Sequence, residues 1–372
     1  MIISRTPFRI SFFGGGTDYP AWYRVHGGAV LATTIDKYCY LSCRWLPPFF
    51  DYRYRVVWSK VENKKTVAEI EHPVVRCLLG HLGITRGLEI HHVGDLPARS
   101  GMGSSSAFTV GLLHALHALR GRMVSKRDLM LEAIHVEQEL LRETVGSQDQ
   151  ASAAHGGFNR ITFAPNGEIT VSPVLLPPAR VAELEAHLML FYTGIARTAA
   201  KVAATYAGDL HGKRRQMRIL RDLVDESIGV LAGGGPIADF GALLDEAWAL
   251  KRSLGPGVST DEVDALYAEA RAAGALGGKI TGAGGGGFLL LFVPPQRRAA
   301  VAAALPDLVH VPFRLEASGS QVIFYEQEED FAAAEAERER RPIRAFREAV
   351  GDAAEHDWVI PAAPALPVAS RT

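Results

Sequence analysis

Hydrophobic and polar positions alternate over residues 2–13, and strand-like runs rich in β-branched and aromatic residues follow at 29–44 and 54–59. A period of two marks half-buried strands, so the chain opens as sheet. Asp36-Lys37 interrupts the second run, as a bend or a solvent-facing pair would. Another strand, residues 88–93, leads into a glycine-flanked serine run, and an apolar helical segment follows over 107–119. A second helical pattern spans 126–143, with an apolar stripe of Met130, Ala133, Ile134, Leu140 and Leu141. Strands return at 158–163 and 168–173 about the turn Pro165-Asn166-Gly167. Pro177-Pro178 marks a boundary between domains of residues 1–178 and 179–328. Past it, a strand at 187–192 leads to helices over most of 196–273. A glycine-rich hairpin at 277–293 and strands at 309–314 and 321–326 are expected to close the second domain. The tail, 329–372, is charged and then Ala/Pro-rich, which predicts a docked helix with a disordered end.

A chain of 372 residues suits two such domains. Forty basic against 41 acidic residues leave no strong field, so a nucleic-acid partner is not expected. Cys39, Cys43 and Cys77 lack zinc-ligand spacing and suit reduced thiols. The start of the chain has no signal-peptide core, and the longest apolar run, 288–293, cannot span a bilayer. The expectation is a soluble, cytoplasmic protein without a membrane partner.

Four sites carry the chemistry. The serine run, Leu96-Pro97-Ala98-Arg99-Ser100-Gly101-Met102-Gly103-Ser104-Ser105-Ser106-Ala107, sits at a helix start. There unpaired N–H groups and the helix dipole favour an anion, phosphate above all. Taken alone, an ordinary capped turn would suffice. It is joined by Arg9, Gly14, Gly15, Gly16, Thr17, Asp18 and Tyr19 at the end of the first strand. The third site is Gly146-Ser147-Gln148-Asp149-Gln150, and the fourth is Lys279-Ile280-Thr281-Gly282-Ala283-Gly284-Gly285-Gly286-Gly287. Two glycine loops, a cation and carboxylates suit phosphoryl transfer. Glu137 falls inside the apolar stripe of its helix, whereas Glu132, Glu139 and Glu143 fall largely on the solvent side. A carboxylate aimed inward needs an ion-pair partner or a hard cation such as Mg²⁺, and both readings stand. The Walker pattern fails at both ends of its nearest string, 273–280. The dinucleotide fingerprint lacks its third glycine at Ser106, and protein-kinase signatures are absent. His91 and His92 are placed on two strand faces, and His114 and His117 are expected to be packed or hydrogen-bonded. Trp45, Trp58, Phe49 and Phe50 belong either to an adenine pocket or to the core.

These motifs resemble the galactokinase, homoserine kinase, mevalonate kinase and phosphomevalonate kinase superfamily, the GHMP kinases. The resemblance runs to about Glu326, with all three family motifs in order. It implies an α+β fold: an N-terminal α/β nucleotide-binding domain with a left-handed βαβ unit, then a ferredoxin-like C-terminal domain. It implies ATP with its phosphates on Arg99, Gly101, Met102, Gly103, Ser104, Ser105 and Ser106, and Mg²⁺ held by Ser105 and Glu137. By the same resemblance Asp149 would orient or deprotonate the acceptor hydroxyl. Arg9 beside it would hold it ionised and offset charge on the transferred phosphoryl. Thr17, Asp18 and Tyr19 match the sugar-binding motif, and Gly282, Gly284 and Gly285 would close on phosphates and acceptor. Gly15 and Gly16 stand where the sugar-kinase motif has Glu-His, which removes the hydroxyl contacts of that pair.

The string Phe12-Phe13-Gly14-Gly15-Gly16-Thr17-Asp18-Tyr19-Pro20, with Phe191-Tyr192-Thr193-Gly194, is most similar to the bacterial D-glycero-D-manno-heptose 7-phosphate kinases and to the kinase domain of fucokinases. The resemblance implies ATP-dependent phosphorylation of an anomeric hydroxyl, on the route to nucleotide-activated heptose for lipopolysaccharide and other surface glycans. An acceptor that already carries phosphate needs a second cationic pocket. Arg197 and Lys201, one helical turn apart, either supply it or form a solvated helix face. An unphosphorylated sugar, a mevalonate- or homoserine-type acceptor, and a silent nucleotide and sugar sensor stay open as alternatives. A homodimer is also left open.

Overall fold

The computed structural model describes residues 1–98, 100–195, 202, 212–327 and 331–340. It resolves the strand runs into two sheets. The first contains β1 (Ile2–Phe13), β2 (Gly28–Trp45), β3 (Tyr54–Val57), β4 (Val61–Lys64), β5 (Leu88–Gly94), β6 (Phe158–Phe163), β7 (Ile169–Pro173), β12 (Leu315–Glu316) and β13 (Gln321–Tyr325). Its main path runs β13-β1-β2-β5-β3-β4, with β12 and β6 also on β2 and β7 on β6. Only β3 and β5 pair in parallel among the described strands. Asp36-Lys37 does not end β2. Pairing with β1 shifts register between Pro7↔Tyr38 and Arg9↔Thr34, so three residues, 35–37, stand opposite Phe8 alone and β2 bulges there. A bulge beside a site re-aims the side chains next to it.

Helix α3 (Ser104–Leu119) packs on β1 and β2, with α4 (Lys126–His135) and α5 (Gln148–His155) alongside. Apolar on nearly every face, α3 is buried over most of its length, as such a helix must be. Three shorter or peripheral helices, α1 (Pro20–His26), α2 (Pro73–His81) and α6 (Pro178–His187), complete this half.

The second sheet, of β8 (Leu188–Tyr192), β9 (Gly277–Ile280), β10 (Phe288–Phe292) and β11 (Val309–His310), is antiparallel in the order β11-β8-β10-β9. With α7 (Arg214–Ala232), α8 (Ala238–Arg252), α9 (Asp261–Ala272) and α10 (Arg298–Ala304) between strands, this is the ferredoxin-like arrangement. Helices α7 and α8 also pack on the first sheet. Phe240 of α8 meets Phe12 and Phe13 edge to face at 5.5 and 5.1 Å.

Two expectations change here. The strand near 321–326 does not close the second sheet: β13 pairs with β1, Ile2 opposite Tyr325, so the chain returns to where it began. The segment 126–143 is not one regular helix. Its α-helical part ends at His135 and a π-helical turn follows over Val136–Leu140. The wider turn breaks the 3.6-residue phase, which leaves Leu140 43% exposed rather than on the stripe. Of the tail, α11 (Ala332–Arg340) docks through Glu335 on Arg53 and on the Gly87 N–H. Among the described residues no helix is long and apolar enough to cross a membrane.

Candidate active site

Arg9, on β1, grips Asp149 through two parallel bonds: Nε to Oδ1 at 2.7 Å and Nη2 to Oδ2 at 2.8 Å. Its third nitrogen, Nη1, donates to the Gly101 carbonyl at 2.7 Å. One guanidinium thus joins the first strand, the serine loop and the start of α5, a geometry that suits its planar fork. Arg9 is shut in, whereas Asp149 keeps 25% of its side chain open. The carboxylate is therefore reachable from outside and the cation is not.

The serine loop turns into α3 through Gly103, whose φ of +73° is left-handed. A Cβ there would meet Arg9 Cγ at 3.1 Å, so glycine lets the loop lie on the guanidinium. Helix α3 then starts at Ser104, and its leading N–H groups face out of the helix end. The second glycine loop interlocks with the first. A Cβ on Gly101 would stand 2.5 Å from the Thr281 carbonyl oxygen, and one on Gly287 would stand 2.3 Å from that of Ser100. Gly285 N–H donates to the Val258 carbonyl at 2.8 Å, tying this loop to the second domain.

Asp18 is buried within electrostatic reach of Asp149. Its carboxylate accepts from the Gly16 N–H at 2.9 Å and from the Gln148 N–H at 3.4 Å. Burial pushes its carboxyl above the usual range, the Gly16 N–H opposes this, and the Asp149 charge adds to it. Thr17 spends its hydroxyl inside the turn, on the Gly14 and Ala29 carbonyls at 2.8 and 2.9 Å. Tyr19 caps α1 without a side-chain capping bond.

Glu137, on the π-helical turn, points into the protein beneath α3. It accepts from Ser106 Oγ at 2.8 Å and from the Gln150 amide, while its Oε1 has no partner among the described residues. Burial pushes its carboxyl up to about 7, against the hydroxyls of Thr109 and Ser106 and the Gln150 amide. No group of three or more His, Cys, Asp and Glu side chains suited to a metal occurs among the described residues.

Two buried lysines join the acidic groups. Lys251 Nζ donates to the Gly282 carbonyl at 2.6 Å, and Lys279 Nζ to the Ser11 and Phe12 carbonyls at 2.8 and 3.0 Å. Burial pushes Lys251 down to about 8, with Asp18 opposing. Burial pushes Lys279 well below the lysine range, and the Lys251 and Arg9 charges act the same way.

Models of two domains match the chain: the GHMP kinases N terminal domain over residues 67–157, and the GHMP kinases C terminal domain over 228–310. The mevalonate kinase of Methanothermobacter thermautotrophicus is 31% identical over 220 residues, covering 56% of this chain and 67% of that one. The chain belongs to the GHMP kinase family. As a GHMP kinase it is an ATP-dependent phosphotransferase with an alcohol group as acceptor. It is also 29% identical, over 76% of its length and 86% of the other's, to the D-glycero-alpha-D-manno-heptose 7-phosphate kinase of Campylobacter jejuni. Its fold superposes with a TM-score of 0.71 on a D-glycero-D-manno-heptose 1-phosphate kinase from Bacteroides thetaiotaomicron. That likeness is at 23% identity and covers 88% of this chain and 100% of that one.

Within this GHMP kinase, Arg9 bonds Asp149, Gly101 and the Met102 carbonyl, Gly103 lies against Arg9, Thr281 and Gly282 lie against Gly101, and the Asp149 charge acts on Asp18. Of the two residues expected to hold Mg²⁺, Glu137 is buried and Ser105 is exposed, with no direct bond between them among those described. Helical rotation turns Ser105 to solvent and Ser106 inward, so Ser106 carries the hydroxyl that meets Glu137. Glu132 is not on the solvent side, since it bonds His117 at 2.7 Å and His81 at 3.2 Å. His114 bonds Ser320 and His91 bonds Glu89, each through a ring nitrogen. Phe49 is 72% exposed and Trp45 is buried beneath Arg86, whereas Trp58 packs edge-on to His72, which stacks on Phe108 of α3. Arg99, Arg197 and Lys201 lie outside the described residues.

Sequence reasoning missed Lys251. Its signal was the one that exposed Glu137: with Leu244, Ala247 and Trp248 it occupies the buried phase of α8, where a leucine is expected.

Proposed function

We infer that this GHMP kinase is a sugar kinase acting on an anomeric hydroxyl, with D-glycero-D-manno-heptose 7-phosphate as its acceptor and the 1,7-bisphosphate as product. The observation that carries the reading is the two-bond grip of Arg9 on Asp149 against the Gly101 carbonyl. It sets a reachable carboxylate beside a helix end suited to phosphates. The Campylobacter relative's name supplies the acceptor.

In this reading the end of α3 and the glycines around it receive the ATP phosphates through backbone N–H groups. Asp149 accepts the proton of the acceptor hydroxyl as its oxygen bonds to the γ-phosphorus. The bond from that phosphorus to the β–γ bridging oxygen breaks, and ADP leaves. Arg9 holds the carboxylate in position and offsets phosphoryl charge, so positioning and electrostatics rather than a covalent enzyme intermediate lower the barrier. Glu137 and the Ser106 hydroxyl fit Mg²⁺, because the unpartnered Oε1 is a hard oxygen and one carboxylate is what such a site requires when waters and phosphates complete it. Bound there, Mg²⁺ would neutralise charge on the phosphate oxygens. Trp58, His72 and Phe108 form an aromatic wall beside α3 suited to the nucleotide base.

The test is ADP release across a panel of hexoses, heptose 7-phosphate, fucose and mevalonate. Turnover with heptose 7-phosphate far above the rest supports the reading. Preference for an unphosphorylated sugar corrects the acceptor, and preference for mevalonate overturns the sugar assignment.

A further inference from the structure

Three polar groups converge on Gly15. A Cβ built there would stand 3.5 Å from Ser11 Oγ, 3.7 Å from Gln148 Nε2 and 3.7 Å from Lys251 Nζ. Gly15 is itself buried, and its φ lies outside the left-handed range, so its backbone does not demand glycine. The missing side chain therefore leaves room rather than enabling a turn.

The groups facing that room are not fully satisfied. Ser11 is 3% exposed, and its Oγ has no hydrogen-bond partner among the described residues. Gln148 turns its Nε2 toward that room, and its Oε1 likewise has no hydrogen-bond partner among the described residues. Each such orphan carries a desolvation cost, which a fold rarely tolerates unless something else completes the bonds. Lys251 gives one of its three donors to the Gly282 carbonyl. The spot also adjoins the reaction centre. Ser11 lies two residues beyond Arg9 on β1, hence on the same face, and Gln148 precedes Asp149. Together the three offer a hydroxyl that donates or accepts, an amide Nε2 that donates, and an ammonium that donates. Such a set complements a neutral alcohol, whose oxygen accepts from the amide and the ammonium while its hydrogen goes to Ser11 Oγ.

We propose that Ser11, Gln148 and Lys251 form a subsite for a secondary hydroxyl of the acceptor sugar, in the room that Gly15 leaves by lacking a side chain. The subsite rests on the sugar-kinase reading and gives it a specificity determinant at the position where the related sugar-kinase motif carries Glu-His. Lys251 belongs to α8 and Ser11 to β1, so both domains hold the same hydroxyl.

Gly15→Ala tests this cleanly, because the added methyl meets only ordinary van der Waals distances and its backbone is permitted. The variant should keep the parent's melting temperature and its KM for ATP, while KM for the acceptor rises roughly tenfold or more. A parallel series of deoxy sugars supplies the second arm. The parent should discriminate against one deoxy analogue by roughly tenfold or more, and Gly15→Ala should lose that discrimination. Ser11→Ala, which removes an unpartnered hydroxyl, should melt no lower than the parent and show the same selective rise in acceptor KM. If the parent turns over a sugar but both variants keep its acceptor KM, the subsite is wrong and the kinase reading survives. If the parent turns over no sugar in the panel, both fall together.

Discussion

Asp149 and Glu137 are carboxylates in opposite circumstances. Asp149 is oriented by a guanidinium and partly exposed, as a group must be if it is to take a proton from a bound alcohol. Asp149→Asn should lower kcat by roughly 10²–10⁴-fold and leave nucleotide affinity unchanged, measured by steady-state rates and by titration with an ATP analogue. Glu137 is enclosed, with one oxygen unpartnered among the described residues and a carboxyl pushed up to about 7. The folded state therefore binds this proton more tightly than the unfolded state does. Without metal, stability is lost as pH rises from the unfolded value of 4.5 through about 7. Glu137→Gln removes that loss. By thermal melting the variant should match the parent near pH ~5 and exceed it near pH ~8, even as kinase activity falls. At this scale the sequence was partly legible. Glu137 stood out as a charge in an apolar phase, but the choice between Ser105 and Ser106 depends on the rotation of α3, which spacing alone does not set. Lys251 carried the same kind of signal in α8, without a neighbouring motif to give it meaning.

Among the elements, the two glycine loops behave as one part. Gly101 and Gly287 each bring backbone to within a methyl's width of the other loop, and both have left-handed φ, +79° and +93°. Gly287→Ala adds a clash with the Ser100 carbonyl to an unfavourable φ, so it should destabilise by about 2 kcal/mol or more in chemical denaturation. Because the serine loop is the wall that gives way, KM for ATP should rise as well. The glycine content of both loops was visible in the sequence, and it announced close backbone approach; which loop approached which was not. The π-helical turn was invisible for a related reason. Its residues have ordinary helix preferences, and the wider turn answers a tertiary demand, the seating of Glu137 under Ser106 and Gln150.

For the whole molecule, the return of β13 to β1 matters most. Gln321–Tyr325 presents exposed side chains at four of five positions, so nothing in its pattern told which sheet it would join. Pairing with Ile2–Arg5, and the Ser320 hydroxyl between Thr6 and His114, place it in the first sheet. A chain ended at residue 313 loses β12 and β13 and bares the edge of β1. It should accumulate in the insoluble fraction and, where soluble, show no cooperative melt. A chain that melts like the parent after that cut would contradict the role given to β13.

That closure also bears on how the polypeptide is made. The strand holding Arg9 leaves the ribosome well before β13, its partner on one edge, which is synthesised more than three hundred residues later. Domains usually settle in the order of translation. Here the leading half must wait for the trailing one, so an enzyme interrupted in synthesis has an unfinished sheet behind its reaction centre.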